Sequence, residues 1–536
     1  MMGAVRIAPQ PEPVKLQHFA ALRPLLLDVQ PATTSAGKLP QMGAGPRRHA
    51  RSVQLRSGVA TAARKNVILA TCCLSLLVIS MDLTILNVAL PAIHAEFHLH
   101  GDHSEQQMQW AINIYPLVLA SLLILGGATG DRYGRRRVFQ IGLTVFGAAS
   151  VLCSLAPNVE TLIAGRFIQA VGGAMMNPVA LSIISQVFPE RAERARALGI
   201  WGAMSGLSLA LGPVVGGVLS QFISWRAVFW INPLICLAAL VLTAVYVSES
   251  KSATVRDVDV IGQLLLVIGL FGLVFVLVEG PWLGWSNPGI ITAGVIATLA
   301  LLSFPRHQSR RNDPLIDPRF FRSEPFASAT AIALLEAAVW GAFLLVMSLY
   351  LQSERGYSAT RTGLMFLPIA IGLLVVSPLS GRTVGRFGAR PPLLVTGLAI
   401  ITGSVLLMLL TATTPVWLLL VIFAVAGIAF GTVSAPIIST ALAGMPLDRA
   451  GAAAAVISTN RQIGVSIGIA LCAEVAQTAA LGDRNFIAAA RPLWWLGIAV
   501  GLVVAGLAIS STSARAERSA GRLAGLIEGS RGVSAL

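Results

Sequence analysis

The chain has 536 residues, 55% of them hydrophobic and only 12% charged, where an ordinary soluble domain runs near ~45–50% and ~25%. That balance argues against a water-soluble globule. The 39 Lys and Arg against 24 Asp and Glu give a net charge of +15, which in a soluble protein would raise nucleic acid as a partner; placement decides against it.

Roughly the first 64 residues are basic, rich in Pro, Gly and Ala, and hold no sustained apolar run, so they read as a disordered cytoplasmic tail. Apolar runs follow at 66–91, 109–129, 138–156, 161–188, 197–220, 227–247 and 259–279, and again at 288–305, 326–352, 362–380, 392–411, 415–444, 452–477 and 492–511. Each is long enough to cross a bilayer, which predicts an all-α polytopic membrane protein with fourteen transmembrane helices. With the loops alternating, 32 of the 39 basic residues fall in the tails and the loops on the tail side. Five (Arg226, Arg355, Arg361, Arg484, Arg491) lie near the other face, and two (Arg166, Arg461) lie inside apolar runs. This positive-inside bias places both termini in the cytoplasm. The loop at 92–108 gathers His94, His98, His100 and His103 beside acids, at irregular spacing, and reads as a solvated external loop rather than a metal site.

All five cysteines lie in apolar stretches without disulfide or zinc spacing, and none of the four lysines follows a glycine-rich phosphate loop. No metal, cofactor or nucleotide-hydrolysing motor is expected, so work must come from a gradient.

An internal repeat organises the chain. Gly127-Ala-Thr-Gly-Asp131-Arg132-Tyr-Gly134-Arg135-Arg136-Arg137 turns between the second and third runs, and a weaker copy, Gly381-Arg382-Thr-Val-Gly385-Arg386-Phe-Gly388-Ala-Arg390, lies 254 residues on (381 − 127), with Gly385 in place of Asp131. Two related halves in one membrane chain mark a transporter in which two bundles rock about a midplane site. An acid at such a helix end can pair with Arg or a helix N-terminus in one conformation and release it in the other.

With these motifs in view, residues 66–511 resemble the major facilitator superfamily, and within it the fourteen-helix drug:proton antiporter branch. Met81-Asp82-Leu-Thr84-Ile-Leu-Asn87-Val-Ala-Leu-Pro91 is similar to that branch's first-helix motif, and Gly127 to Arg136 to the superfamily's loop between helices two and three. Leu162 to Ala174, with Gly165, Arg166, Gln169, Gly172 and Gly173, resembles the fourth-helix motif, although Ala170 stands where glycine is usual. Gly206 to Gly217, ending Gly212-Pro213-Val-Val-Gly216-Gly217, resembles the antiporter motif of helix five. Trp225-Arg226 and Phe229-Trp230-Ile-Asn232-Pro233 resemble the start of helix six, less one residue between Asn and Pro. The resemblance implies two pseudo-symmetric six-helix bundles, 65–248 and 326–511, joined by a linker, 249–325, with two extra helices, and followed by a cytoplasmic tail, 512–536.

Candidate residues follow from charge inside apolar runs. Asp82 lies midway along the first, where an ionised carboxylate is costly, so it should be neutral part of the time or face a polar cavity. A carboxyl that binds a proton and releases it when a cation arrives is the least machinery an antiporter needs; the alternative is a structural hydrogen-bonder acting through Thr84 or Asn87. Arg166, with Gln169 one turn on, either snorkels to the interface or faces inward; the resemblance implies proton relay, with Asp82 as a candidate partner. Gly202, Gly206, Gly212 and Gly216 give helix five a small-residue face for close packing, and Pro213 permits a bend. By resemblance this motif limits leakage between the halves. Glu336 and Glu474 are further acids inside runs, and Arg461 faces the cavity or counters Glu474. Glu279, before Gly280-Pro281-Trp282, is expected at the interface. Trp110, Tyr115, Trp201, Trp230 and Trp340 either wall a cavity for flat cations or, more simply, sit at interfaces.

The expected protein is a bacterial inner-membrane carrier, working as a monomer among lipids, that exports small lipophilic or cationic compounds in exchange for protons. Gly127, Asp131, Arg132, Gly134, Arg135 and Arg136 are its conformational latch. The rivals are a carrier of one metabolite, in either direction, and, further off, a membrane-embedded enzyme or a sensor. No histidine lies inside a run, which counts against the enzyme.

Overall fold

The computed structural model describes residues 62–97, 104–251, 259–311, 314–443, 445, 450–473, 475 and 486–523. Among them there is no strand. The helices are α1 (Ala62–Glu96), α2 (Ser104–Tyr133), α3 (Arg135–Ser154), α4 (Val159–Val187), α5 (Arg191–Phe222), α6 (Ala227–Tyr246), α7 (Val260–Leu283) and α8 (Pro288–Gln308). After these come α9 (Glu324–Leu349), α10 (Ala359–Met365), α11 (Leu367–Phe387), α12 (Arg390–Leu407), α13 (Val416–Ala441), α14 (Ala450–Ala470) and α15 (Phe486–Ser510).

Twelve helices among the described residues are long and apolar enough to cross a membrane, counting α10 and α11 as the single span Ala359–Phe387, and the bent α5 makes up to thirteen. The fourteenth expected span, α14, is outside that count; it is a 21-residue helix interrupted by the polar run Asn460-Arg461-Gln462. α5 bends by 40° between Ser208 and Leu211, in the stretch that leads to Gly212-Pro213, where proline removes a backbone donor. The runs at 161–188 and 415–444, each holding a proline, stay unbroken as α4 and α13.

The helix pairings recur. α1 packs on α5, α2 on α4, α3 on α4 and α6; in the later part of the chain α9 packs on α14, α11 on α13, α12 on α13 and α15. First meets fifth, second meets fourth and third meets sixth in both sets. The two sets meet where α2 lies against α14 and α5 against α10 and α11. The repeated loop shows in the backbone too: Gly134 and Gly388, equivalent at the 254-residue offset, both have positive φ, 115° and 80°, where glycine alone is unstrained.

α7 and α8 pack on each other, and α7 also lies against α2 and α14. Its apolar stripe, Leu266, Leu270, Val274 and Val278, is buried against Leu117, Ala120 and Ala470. Two polar contacts fix its register on α2. Gln263 donates to the Ser121 carbonyl, and Glu279 accepts from Gln106 and from Trp110 Nε1. Glu279, expected at the interface, is 6% exposed, because α2 supplies two donors that make burial of its carboxylate tolerable.

Candidate functional site

Asp82 is fully buried, with 0% of its side chain exposed, and Arg166 is 1% exposed. Asp82 Oδ2 accepts from Arg166 Nη1, while Oδ1 accepts from Gln169 Nε2 and Asn232 Nδ2, each at 3.0 Å. Arg166 Nη1 also donates to Gln169 Oε1 at 2.9 Å and Nε to the Ala111 carbonyl at 3.4 Å. The guanidinium lies over the Tyr115 ring, 4.4 Å from its centroid. Ser150 Oγ closes the set, accepting from Gln169 Nε2 at 2.8 Å. Five helices, α1, α2, α3, α4 and α6, each place one or more groups around this carboxylate.

Such a pair persists in an apolar interior because both carboxylate oxygens and the guanidinium Nε and Nη1 find partners; desolvation otherwise outweighs attraction. Arg166 therefore faces inward, and the hydrogen-bonding role considered for Asp82 runs through Gln169 and Asn232 rather than Thr84 or Asn87. Thr84 Oγ1 donates to the Met81 carbonyl, and Asn87 stands apart, its carbonyl accepting from Ser348 Oγ at 2.8 Å across the α1–α9 contact. Asn232 and Ser150 were missed in the sequence. Asn232 stands in the helix-six motif, so a polar side chain inside a span was the available signal; Ser150 offered none, since serine commonly bonds its own helix.

The second set holds another buried acid. Glu336 on α9 is 1% exposed, and its Oε1 lies 3.9 Å from Arg461 Nη2 on α14. Arg461 Nη1 donates to Ser434 Oγ on α13 at 3.3 Å. Glu336, named from the sequence as an acid inside a run, follows Asp82 by 254 residues (336 − 82), the offset of the repeated loop. Glu474, the other acid named for this region and the other candidate partner of Arg461, lies outside the described residues, as do His98, His100 and His103 of the external loop. Among the described residues no group of three or more His, Cys, Asp or Glu can hold a metal ion.

In the loop between α2 and α3, Asp131 Oδ1 accepts from Arg135 Nη2 at 2.9 Å. The carboxylate at the N-terminus of α3 belongs instead to Glu249, whose two oxygens accept from the backbone N–H groups of Arg136 and Arg137, each at 3.1 Å; such a site favours negative charge. Arg136 Nη2 donates to the Ala244 carbonyl at 2.7 Å, which ties the loop to the end of α6. Arg132 lies against the Tyr133 ring, 5.7 Å from its centroid.

The glycines of α5 divide into two environments. A Cβ on Gly212 would stand 2.0 Å from Thr84 Oγ1 and 2.9 Å from the Met81 carbonyl, and one on Gly217 would stand 2.4 Å from the Ala359 carbonyl. Thr360 Oγ1 donates to the Gly217 carbonyl at 3.0 Å. Gly216 is equally tight, against Ile85, and the Pro213 carbonyl approaches Gly363. Gly199, Gly202 and Gly206 would meet nothing within 4 Å. The end of α5 that follows its bend is thus engaged with the second set of helices, while the glycine face before the bend is open, although Glu193 and Ala197 there pair with and pack on the first set. Asn113 and Ser466 add a 2.5 Å contact where α2 meets α14.

Of the aromatic candidates, Tyr115 belongs to the Arg166 site and Trp110 to the Glu279 contact. Trp340 packs edge-on against Phe430, centroids 4.3 Å apart, while Trp230 is 47% exposed on the outer face. Outside the spans, burial alone would push the Asp259 carboxyl up. The Gly262 N–H, His307 and Gln308 outweigh it and hold the carboxyl below its ordinary value. His307 Nε2 is 2.9 Å from Asp259 Oδ1 and Gln308 Nε2 donates to Oδ2 at 2.7 Å, which clamps the start of α7 to the end of α8.

Two sets of apolar helices with the same internal pairing, each with an acid–arginine pair inside, define a multi-pass membrane protein of the transporter class rather than an enzyme. The Major Facilitator Superfamily model matches residues 72–469, and the chain belongs to that superfamily. It is 36% identical over 403 residues to the multidrug resistance protein Stp of Mycobacterium tuberculosis, covering 75% of this chain and 74% of that one. It is 32% identical to the methylenomycin A resistance protein of Streptomyces coelicolor, covering 82% and 90%, and 33% identical to the tetracenomycin C resistance and export protein of Streptomyces glaucescens, covering 74% and 73%.

Proposed function

We propose that the protein is a proton-coupled exporter of small amphipathic compounds in a bacterial plasma membrane, with Asp82 as its proton-carrying carboxyl and Arg166 as its counter-ion. The names of its relatives, resistance and export proteins for several unlike antibiotics, support export of drug-like molecules. The observation that carries the coupling is the fully buried Asp82–Arg166 pair, since a carboxylate inside a span is by default functional. In this reading α5 and α14 are also spans, making fourteen, and both tails are cytoplasmic by the positive-inside bias. The halves are the six-helix bundles 65–248 and 326–511, with α7 and α8 between them.

The geometry supports a mechanism. A proton on Asp82 removes the charge that Arg166 faces, while Gln169 and Asn232 keep α1, α4 and α6 hydrogen-bonded. The released guanidinium must find other acceptors, which shifts α4 against α1. α1 carries that shift to α5, because Met81 and Thr84, flanking Asp82, form the surface on which Gly212 rests. α5 in turn touches the second half through Gly217 and Thr360. A proton and a substrate that favour opposite conformations are then exchanged.

The test is efflux of a fluorescent lipophilic cation from energised cells, with and without collapse of the proton gradient, for wild type and Asp82→Asn. Efflux that stops on collapse and in the variant is expected. Gradient-driven efflux that survives Asp82→Asn would remove Asp82 from the coupling path, and no efflux of any such compound by well-expressed protein would refute drug export.

A further inference from the structure

The two buried acids differ in what they leave free. Both oxygens of Asp82 are occupied, by three side chains from two helices. Glu336 is equally buried, but its Oε2 has no hydrogen-bond partner. Its other oxygen meets Arg461 only at 3.9 Å, beyond hydrogen-bonding range. A buried acceptor left open is costly unless something fills it.

We infer that Glu336 is the site that takes the positive charge of the transported compound, with Trp340 and Phe430 receiving its apolar part, while Asp82 serves the proton. This deepens the proposed function and rests on it. Trp340 follows Glu336 by four residues on α9, so the two share one face. Phe430 precedes Ser434 by four on α13, which runs the opposite way. The edge-on Trp340–Phe430 pair therefore lies one turn from the Glu336–Arg461–Ser434 cluster, towards the end where α5 is engaged. A ligand with a cationic head and a flat apolar body matches that order, charge beside carboxylate and rings beside rings, with cation–π attraction adding to the head's binding.

Arg461 does not block the site. Its side chain is 32% exposed, and Ser434 holds its other nitrogen at 3.3 Å. It can turn to Ser434 and water when a ligand charge replaces it at Glu336. Arg166 is sealed in, so no such exchange is open at Asp82.

The experiment measures equilibrium binding of two permanent cations, ethidium and tetraphenylphosphonium, to the purified full-length protein in lipid nanodiscs without a gradient. Glu336→Gln is expected to weaken both at least tenfold, Trp340→Ala several-fold, and Glu336→Asp less than Glu336→Gln, which also shows that the site folds. Asp82→Asn is expected to abolish gradient-driven efflux in cells. Normal binding by Glu336→Gln overturns the assignment, as does a wild type that binds neither cation. If wild-type efflux is proton-driven while Glu336→Gln binds normally, this assignment fails and the proposed function stands. If wild type exports nothing, the proposed function itself has failed.

Discussion

Removing one member of the Asp82–Arg166 pair should destabilise the protein more than removing both, and the two single variants should differ. Breaking a buried ion pair by deleting one partner costs about 3–5 kcal/mol, because an uncompensated charge stays behind. Arg166→Met leaves Asp82, a carboxyl that has a neutral form and can shed its charge by taking a proton, which caps the loss. Gln169 and Asn232 remain as donors. Asp82→Asn leaves a guanidinium 1% exposed, which has no neutral form in this range. Its remaining partners, the new amide oxygen, Gln169 Oε1, the Ala111 carbonyl and the Tyr115 ring, carry no charge, so no such cap applies. The double variant carries no net charge at the site and should recover about 1–3 kcal/mol relative to additivity. Thermal melting of the purified proteins in one detergent should rank the double variant above Arg166→Met, and that above Asp82→Asn. Losses that simply add in the double variant would refute a tightly coupled buried pair, and Asp82→Asn melting highest of the three would refute the argument from arginine's fixed charge.

Gly212→Ala places a carbon 2.0 Å from Thr84 Oγ1 and against the Met81 backbone, an overpacking worth about 1–3 kcal/mol, and should lower both melting temperature and efflux. Gly206→Ala meets nothing within 4 Å and should leave melting unchanged; an equal drop in both would refute the distinction. At Gly134, with φ of 115°, alanine would be strained by about 1–3 kcal/mol and its Cβ would stand 2.7 Å from Glu249 Oε1; slower efflux and a lower melting temperature are expected, and wild-type values in both would refute the loop geometry. Asp259 is held below its ordinary value of 3.8. Its contribution to stability is therefore fully present above that value and is lost as pH falls through its folded value. A melting series from pH 7 into acid should show this step in wild type and lack it in Asp259→Asn; a step of equal size in both would assign it elsewhere.

Charge inside an apolar run is legible without a structure, because a bilayer makes each such residue expensive. Asp82, Arg166, Glu336 and Arg461 all stand out that way. Their partners are less so. The fourth-helix register put Gln169 beside Arg166, but Ser150 and Asn232 reach the carboxylate only through the packing of α3 and α6 around α1. Arg461 showed an acid on its own run, Glu474, whereas the contact described is with Glu336, more than a hundred positions earlier and brought near because α9 packs on α14. Glu249 follows α6 in the chain, and its role as the N-terminal acceptor for α3 depends on where that segment returns, which no periodicity records. The number of spans was less legible than their presence, since the polar Asn460-Arg461-Gln462 run lowers the hydropathy of α14 and the 40° bend divides α5.

The two ends of α5 tie the acid site to the state of the whole carrier. After the bend, Gly212 rests on α1 and Gly217 on Ala359 of the other helix set, so the halves are in contact at that end. Before the bend, Gly199, Gly202 and Gly206 present an unobstructed face. With the second set of helices engaged at one end of α5 only, the halves can rock in one direction, towards covering the open glycine face and releasing the engaged contacts. Asp82 lies between Met81 and Thr84, the residues that the engaged end touches. In the proposed mechanism protonation there acts at the contact that Gly212 makes on α1, and a side chain larger than glycine at position 202 or 206 should obstruct the alternate state while sparing this one. Accumulation of a Gly206→Leu variant in the present conformation, read by cysteine accessibility on either side of the α5 bend, is the expected result; equal accessibility in variant and wild type would refute the rocking geometry.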